Sequence, residues 1–232
     1  MDKKVKEYVI LIYKAILAGG AIALGGIANI CSSNKIVGSL FFCIGLFLVL
    51  VNDLNLFTGK ICYLLDNPSE YLFKLFLIYA GNFLGAVLVG TVVGYIDKFD
   101  KLLLSFSSGL QDRISAPWWQ ILLLGVLCNI MIYIAVDGYK NRDKEWKKVL
   151  SLIFGVSVFV LCGFEHSVAD MFYLSAAGIW SIDGVKFIAI VTAGNILGGL
   201  LIPCFNKLLK SNPKRPLPKD EDTKNDFKDT DE

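Results

Sequence analysis

The chain has 232 residues, of which 55% are hydrophobic and 19% are charged, and its formal net charge is +2. Soluble domains usually carry about a quarter charged residues, so this composition excludes an ordinary soluble domain and indicates a membrane protein. Basic residues are spread along the chain rather than gathered in one patch, and we therefore expect no nucleic-acid partner.

Six apolar runs follow one another along the chain, each near the roughly 20 residues that cross a bilayer as a helix. They predict six transmembrane helices in a multi-pass integral membrane protein. No clear small-residue site for signal-peptide cleavage lies between the first run and the polar residues that follow it, so we expect a retained helix rather than a removed signal peptide. The runs cover residues 8–31, 36–65, 71–96, 118–136, 149–178 and 185–209.

The connections between these runs differ in basic residues, which favour the cytoplasmic side of a membrane. The N-terminus, the second and fourth connections and the C-terminal segment are rich in Lys and Arg, so both termini are predicted to be cytoplasmic, in the inner membrane of a bacterial cell. Residues 210–232 are rich in proline and charge and cannot bury a core. They predict a disordered cytoplasmic tail after a membrane domain at 1–209. The other side of the membrane would carry Lys35, Lys98, Lys101, Arg113 and Lys186.

Two segments repeat at long range, AGNFLGA at 80–86 and AGNILGG at 193–199. Each lies one run after an interrupted run, which carries NDLNLFTGK at 52–60 or GFEHSVAD at 163–170. The pattern predicts two copies of a three-helix unit, about 8–96 and 118–209, with broken second and fifth helices. Because three spans is an odd number, the second copy would enter the membrane from the opposite side, as in inverted-repeat transporters and channels.

The polar interruptions lie where polar groups are costly unless they are buried in protein or line a cavity. Two broken helices in matching positions therefore point to a shared pore, and the N-terminus of each new half-helix suits an anion. The second interruption holds His166, the only histidine of the chain. A lone histidine in a soluble core is more often structural, but an ionisable group inside a span is a functional candidate.

Four motifs together resemble the formate/nitrite transporter family: GFEHSVADMF at 163–172, LFTGK at 56–60, GVLCN at 125–129 and the paired GNxxG segments. Members of that family carry small monovalent anions of weak acids, and the resemblance covers nearly the whole chain. It implies an all-α, aquaporin-like channel in the lipid bilayer, assembled as a homopentamer in which every protomer has its own pore. It implies no enzyme activity, and we expect no metal and no cofactor.

The resemblance also implies which residues line the pore. His166 would face Thr58 at the pore centre, within a hydrogen-bond network that includes Asn129 and Asn195. By their spacing from Thr58 and His166, four apolar residues would pinch the pore on the two sides of this centre: Phe42, Leu46, Leu56 and Phe159.

Basic residues in the two vestibules would draw anions inward, Lys14 on the cytoplasmic side and Arg113 on the outer side. Alternatively, Lys14 is a snorkelling side chain and Arg113 a solvated charge on a loop. Relatives usually have lysine in place of Arg113 and asparagine in place of Asp170, and an added carboxylate repels anions unless it is protonated or paired. We interpret Glu165 and Asp170 as structural polar residues at the helix break, Glu165 accepting backbone N–H groups or contacting another subunit.

The predicted function is passage of formate, nitrite or hydrosulfide, with the anion either protonated at His166 or crossing in its charged form. The alternative is a membrane-embedded enzyme that uses Glu165, His166 and Asp170 as an acid/base or metal cluster, although one histidine cannot supply the usual multi-histidine metal site. A water channel or a scaffold is a third possibility. The absence of an NPA motif and the lone histidine argue against a water pore, and the inverted repeat argues against a scaffold.

Overall fold

The computed structural model describes residues 2–210, and within them it contains helices and turns but no strand. The all-α prediction is therefore confirmed, whereas the predicted tail, apart from its first residue, lies outside the described residues. Short 3-10 segments cover Ile61–Asp66 and Asp97–Phe99. The α-helices are α1 (Lys3–Ile30), α2 (Lys35–Val51), α3 (Phe57–Lys60), α4 (Glu70–Gly94), α5 (Asp100–Ile114), α6 (Trp118–Asn141), α7 (Glu145–Leu161), α8 (Ser167–Ala176) and α9 (Ile182–Lys210).

Four of these helices, α1, α4, α6 and α9, are long and apolar enough to cross a membrane. The apolar helix α2 is shorter, with 17 residues, and α7 also has 17. Each short helix is followed, after a break, by a second short helix, α3 or α8. The second and fifth apolar runs thus end and restart where the sequence carries its polar interruptions.

Each break contains a residue in the left-handed backbone region. Asp53 has φ 49° after α2, and Gly163 has φ 69° after α7. Glycine adopts this conformation without a steric penalty, and aspartate tolerates it better than most residues do. The chain therefore leaves both helices abruptly and re-enters a helix within a few residues.

The GNxxG segments lie at close helix crossings, α1 with α4 and α6 with α9. A Cβ atom on Gly85 would lie 2.0 Å from the backbone oxygen of Ile16, and one on Gly198 would lie 2.1 Å from that of Val126. Both distances are far shorter than any real contact, so only glycine fits at these two positions. Small residues allow such backbone approach between membrane helices.

Contacts near the start of α1 and near the end of α9 define one face of the molecule. Lys74 of α4 pairs with Glu7 of α1 at 2.7 Å, and Lys207 of α9 donates to the backbone oxygen of Leu65 at 2.8 Å. The segment that contains Leu65 leads directly into α4. Both described ends of the chain therefore lie on this face, called here the terminal face.

The opposite face carries α5, which corrects the prediction of a loop between the third and fourth apolar runs. Leu103 and Leu110 of α5 are buried, and Arg113 lies in its last turn. The helix has 15 residues and a mixed polar composition, so it gives no signal as a membrane span. It packs against α8 and α9 and thereby covers the break between α7 and α8.

Candidate functional site

His166 lies immediately before α8 and is 2% exposed. Its Nδ1 accepts a hydrogen bond from the backbone N–H of Ala169 at 3.2 Å, and its Nε2 lies 3.0 Å from Oγ1 of Thr58, which is completely buried. A nitrogen that accepts a hydrogen bond carries no proton, so the neutral ring holds its proton on Nε2. In this state Nε2 donates to the hydroxyl oxygen of Thr58.

Asn195 of α9 holds the backbone at this break. Its Oδ1 accepts from the N–H of Ser167 at 3.0 Å, and its Nδ2 donates to the carbonyl oxygens of Gly125 and Glu165, both at 2.9 Å. Backbone groups at a helix break have no partner within the helix, and leaving them unpaired in a buried site is costly. Asn195 therefore fixes the start of α8, and with it the position of His166.

Asn82 of α4 makes the same three contacts at the first break. Its Oδ1 accepts from the N–H of Phe57 at 2.8 Å, and its Nδ2 donates to the carbonyl oxygens of Ala15 at 2.7 Å and Asn55 at 2.8 Å. Asn82 was not among the residues predicted for the site, although its AGNxLG segment matches the one that contains Asn195. It fixes the start of α3 and hence the position of Thr58.

Asn129 of α6 contributes a third amide. Its side chain is completely buried, and Nδ2 donates to the carbonyl oxygen of Thr58 at 3.1 Å. The four residues predicted for the centre are therefore placed by one connected set of contacts: His166 meets Thr58, Asn129 holds Thr58, and Asn195 holds the start of α8.

The predicted apolar residues fall into two pairs on two separate cavities. Phe42 and Phe159 line a cavity of about 280 Å³, together with His166 and Arg113. The Phe159 ring stacks on the His166 ring with centroids 5.8 Å apart, and the Phe42 ring meets Phe159 edge-on at 5.7 Å. The aromatic pair thus lies directly against the histidine.

Leu46 and Leu56 line the second cavity, which is smaller, at about 20 Å³. Lys60, at the end of α3, and Lys140, in the last turn of α6, line it as well. These helix ends lie towards the terminal face, because the Lys140 ammonium is 5.2 Å from the centre of the Tyr63 ring in the segment that leads to α4.

Arg113 extends from α5 to two buried carboxylates. Its Nε donates to Oε1 of Glu165 at 2.9 Å, and its Nη2 donates both to Oε2 of Glu165 and to Oδ1 of Asp170, the latter at 2.6 Å. Glu165 and Asp170 are 2% and 1% exposed. Arg113 is therefore not a solvated loop charge. The carboxylate of Glu165 accepts from Arg113, whereas the contacts expected for it were backbone N–H groups or another subunit.

Lys14, the basic residue expected at the cytoplasmic entrance, pairs with Asp53 at 3.2 Å. The Asp53 side chain is 81% exposed and that of Lys14 is 33% exposed. Solvent screens a pair of this kind, so it adds little to stability. The aspartate nevertheless offsets the charge of Lys14 at the first break.

A family model described as formate/nitrite transporter matches residues 1–207 of the chain. The chain belongs to the formate/nitrite transporter family. The formate channel FocA of Haemophilus influenzae is 26% identical over 202 residues, which cover 72% of this chain and 71% of that protein. The formate channel FocA of Escherichia coli is 26% identical over 234 residues and covers 82% of both chains. These relatives are named channels, and the family is one of membrane transport proteins rather than enzymes.

A solved structure described as a pentameric formate channel with formate bound has the same fold. Its TM-score with this member of the formate/nitrite transporter family is 0.71 at 24% sequence identity, and the match covers 89% of this chain and 99% of that one. The fold is therefore that of a membrane channel.

The alternative of a membrane-embedded enzyme finds no support in the site of this family member. Within residues 2–210, no group of three or more His, Cys, Asp and Glu side chains is placed to hold a metal ion. Two of the three residues proposed as its reactive cluster, Glu165 and Asp170, are instead held by Arg113. The third, His166, pairs with Thr58.

Proposed function

We propose that the chain is a membrane channel for a small monovalent anion of a weak acid, with formate as the first candidate. The observation that carries this proposal is the buried hydrogen bond between His166 and Thr58. This hydrogen bond joins the two helix breaks, and His166 lines the cavity of about 280 Å³. The pair thus offers neutral polar groups at the point where an ion would be most desolvated. Two relatives named formate channels support formate as the substrate. Nitrite and hydrosulfide, with the same charge and similar size, are the rival substrates.

The proposed architecture has six membrane-spanning segments in two inverted repeats, about 8–96 and 118–209. The matching contacts of Asn82 and Asn195 support it, as do the left-handed residues Asp53 and Gly163 at the two breaks. We further propose a homopentamer with one pore in each protomer, because the structurally similar channel is pentameric. The distribution of basic residues favours cytoplasmic termini in a bacterial inner membrane, which places the terminal face inside the cell.

In the proposed mechanism, the anion loses water at the aromatic or the leucine pair and becomes a stronger base as its charge is desolvated. Nδ1 of His166 is occupied by the N–H of Ala169, so any proton exchanged with the anion moves at Nε2. In one concerted relay, the Thr58 hydroxyl donates its proton to the anion, Oγ1 takes the proton from Nε2, and water in the cavity gives a proton to Nε2 and leaves as hydroxide. The steps are concerted because a neutral ring that first lost its only proton would become an imidazolate. The anion would then cross as the neutral acid. In the other route it stays charged and is stabilised by the same donors and by the half-helix N-termini.

Flux from proteoliposomes that contain the purified protein tests the proposed function. Formate, nitrite, hydrosulfide, lactate and chloride are compared at two pH values. If the anion is protonated in the pore, the weak-acid anions should pass faster than chloride and their flux should rise at acid pH. Equal flux for chloride and formate would contradict the proposal, and the order among the weak acids would identify the substrate.

A further inference from the structure

The two basic residues expected to draw anions into the chain are both offset by carboxylates. Lys14 pairs with Asp53 at 3.2 Å. Arg113 faces two carboxylates, those of Glu165 and Asp170. A guanidinium bonded to two acidic groups presents little net positive charge to an incoming anion. Attraction of an anion therefore requires other cations near the cavities.

Lys60 and Lys140 meet this requirement on the terminal face. Both line the smaller cavity, next to Leu46 and Leu56. In the part of the chain that the structure describes, no carboxylate lies within ion-pairing distance of either ammonium group. Because both residues line one small cavity, the two like charges lie near each other. Asp53 also acts on Lys60 at longer range, but its carboxylate is bonded to Lys14.

The position of Lys60 is costly without a negative partner. It is half-buried at the end of a four-residue helix, it lines a cavity whose other walls are mainly apolar, and a second lysine of the same charge lines that cavity too. Partly desolvated charges are normally paired, because burial removes the water that stabilises them. A negative ion between the two lysines would offset both the desolvation and the repulsion.

We propose that Lys60 and Lys140 form an anion-binding site at the terminal-face mouth of the pore, which concentrates small monovalent anions before they meet Leu46 and Leu56. This inference rests on the proposed function, since it assumes that the anion crosses through these cavities. A lysine ammonium is a compact point charge and lacks the planar fork of arginine. The site therefore selects by charge and size rather than by shape, and it takes formate, nitrite or chloride alike.

Flux at two ionic strengths tests the site with the Lys60→Gln/Lys140→Gln double variant. At about 20 mM salt the Debye length is near 20 Å, whereas at about 0.5 M it falls to roughly 4 Å. Loss of two unit charges at the mouth should lower the initial formate flux about fivefold at low salt. At high salt the variant and the wild type should converge, because the ions of the solution then screen the lysines.

Two control variants separate charge from structure. Lys60→Arg/Lys140→Arg keeps both charges and should retain the wild-type flux at both salt levels. Lys147→Gln removes a lysine of α7 that lies over the Trp146 ring and lines neither cavity, and it should also behave as the wild type. Full flux of the glutamine double variant at low salt would overturn the site. A loss that persists at high salt would also overturn it, since screening cannot restore a damaged fold.

A second measurement tests anion binding at Lys60 and Lys140 without measuring flux. It therefore applies even if the wild type carries no anion, a result that would refute the proposed function itself. The detergent-solubilised protein is labelled with an amine-reactive reagent, in formate or in gluconate of equal ionic strength, and the labelled lysines are read by mass spectrometry. Formate should slow the labelling of Lys60 and Lys140 and leave that of Lys147 unchanged. Equal labelling of the first two lysines in both salts would overturn the site.

Discussion

Removal of the guanidinium at position 113 tests whether α5 is held by the buried ion pairs. The Arg113→Met variant keeps a long apolar side chain and leaves Glu165 and Asp170 without a cation, at 2% and 1% exposure. Breaking a buried ion pair by removing one partner costs about 3–5 kcal/mol. The Arg113 side chain is itself 30% exposed, so we expect a loss near the lower limit, about 3 kcal/mol in the free energy of unfolding.

The assay is unfolding in mixed detergent micelles, followed by tryptophan fluorescence, with Asp170→Asn as the matched control. This control keeps an oxygen that can accept from Arg113 and removes one of two like charges, so it should change stability by less than about 1 kcal/mol. Arg113→Met in a Glu165→Gln/Asp170→Asn background should cost much less than it does alone, because no uncompensated charge is left buried. A loss below about 1 kcal/mol for Arg113→Met in the wild-type background would refute this reasoning.

Two further predictions concern the centre of the site. Thr58→Val removes the hydroxyl that meets His166. Loss of one hydrogen bond of roughly 1.4 kcal/mol corresponds to a tenfold change, so formate flux in the proteoliposome assay should fall about tenfold. Thr58→Ser keeps the hydroxyl and should keep most of the flux. Asn195→Ala removes three hydrogen bonds and leaves the Ser167 N–H and the Glu165 carbonyl at the break without their side-chain partner, so it should destabilise the protein by about 2–4 kcal/mol in mixed micelles. Asn82→Ala should do the same at the first break, and a change of a few tenths of a kcal/mol for either variant would contradict the role given to these amides.

Much of the fold follows from local sequence signals. A run of about 20 apolar residues has few alternatives to a membrane helix, which is why α1, α4, α6 and α9 could be predicted. The breaks were also predictable, because polar clusters such as NDLN and GFEH cannot continue an apolar span. The match between the segments around Asn82 and Asn195 is visible in the sequence as well, and it predicts the repeat. The amide contacts with the backbone depend on tertiary placement and give no sequence signal.

The ion-pair partners could not be predicted, because they depend on contacts between distant parts of the chain. Arg113 meets Glu165 and Asp170, which lie 52 and 57 residues further along. The helix α5 that carries Arg113 has a composition close to that of a surface loop, so hydropathy gives no signal for it. Asp53 pairs with Lys14 only because the break after α2 places it beside α1.

The central claim is that passage depends on the buried pair of His166 and Thr58, and formate flux through the His166→Phe variant tests it most directly. Phenylalanine keeps an aromatic ring of similar size against Phe159 and removes both ring nitrogens. The account predicts that the purified variant inserts and assembles like the wild type but loses most of its formate flux together with the dependence of that flux on pH. A His166→Phe protein that kept the full, pH-responsive flux would contradict the account.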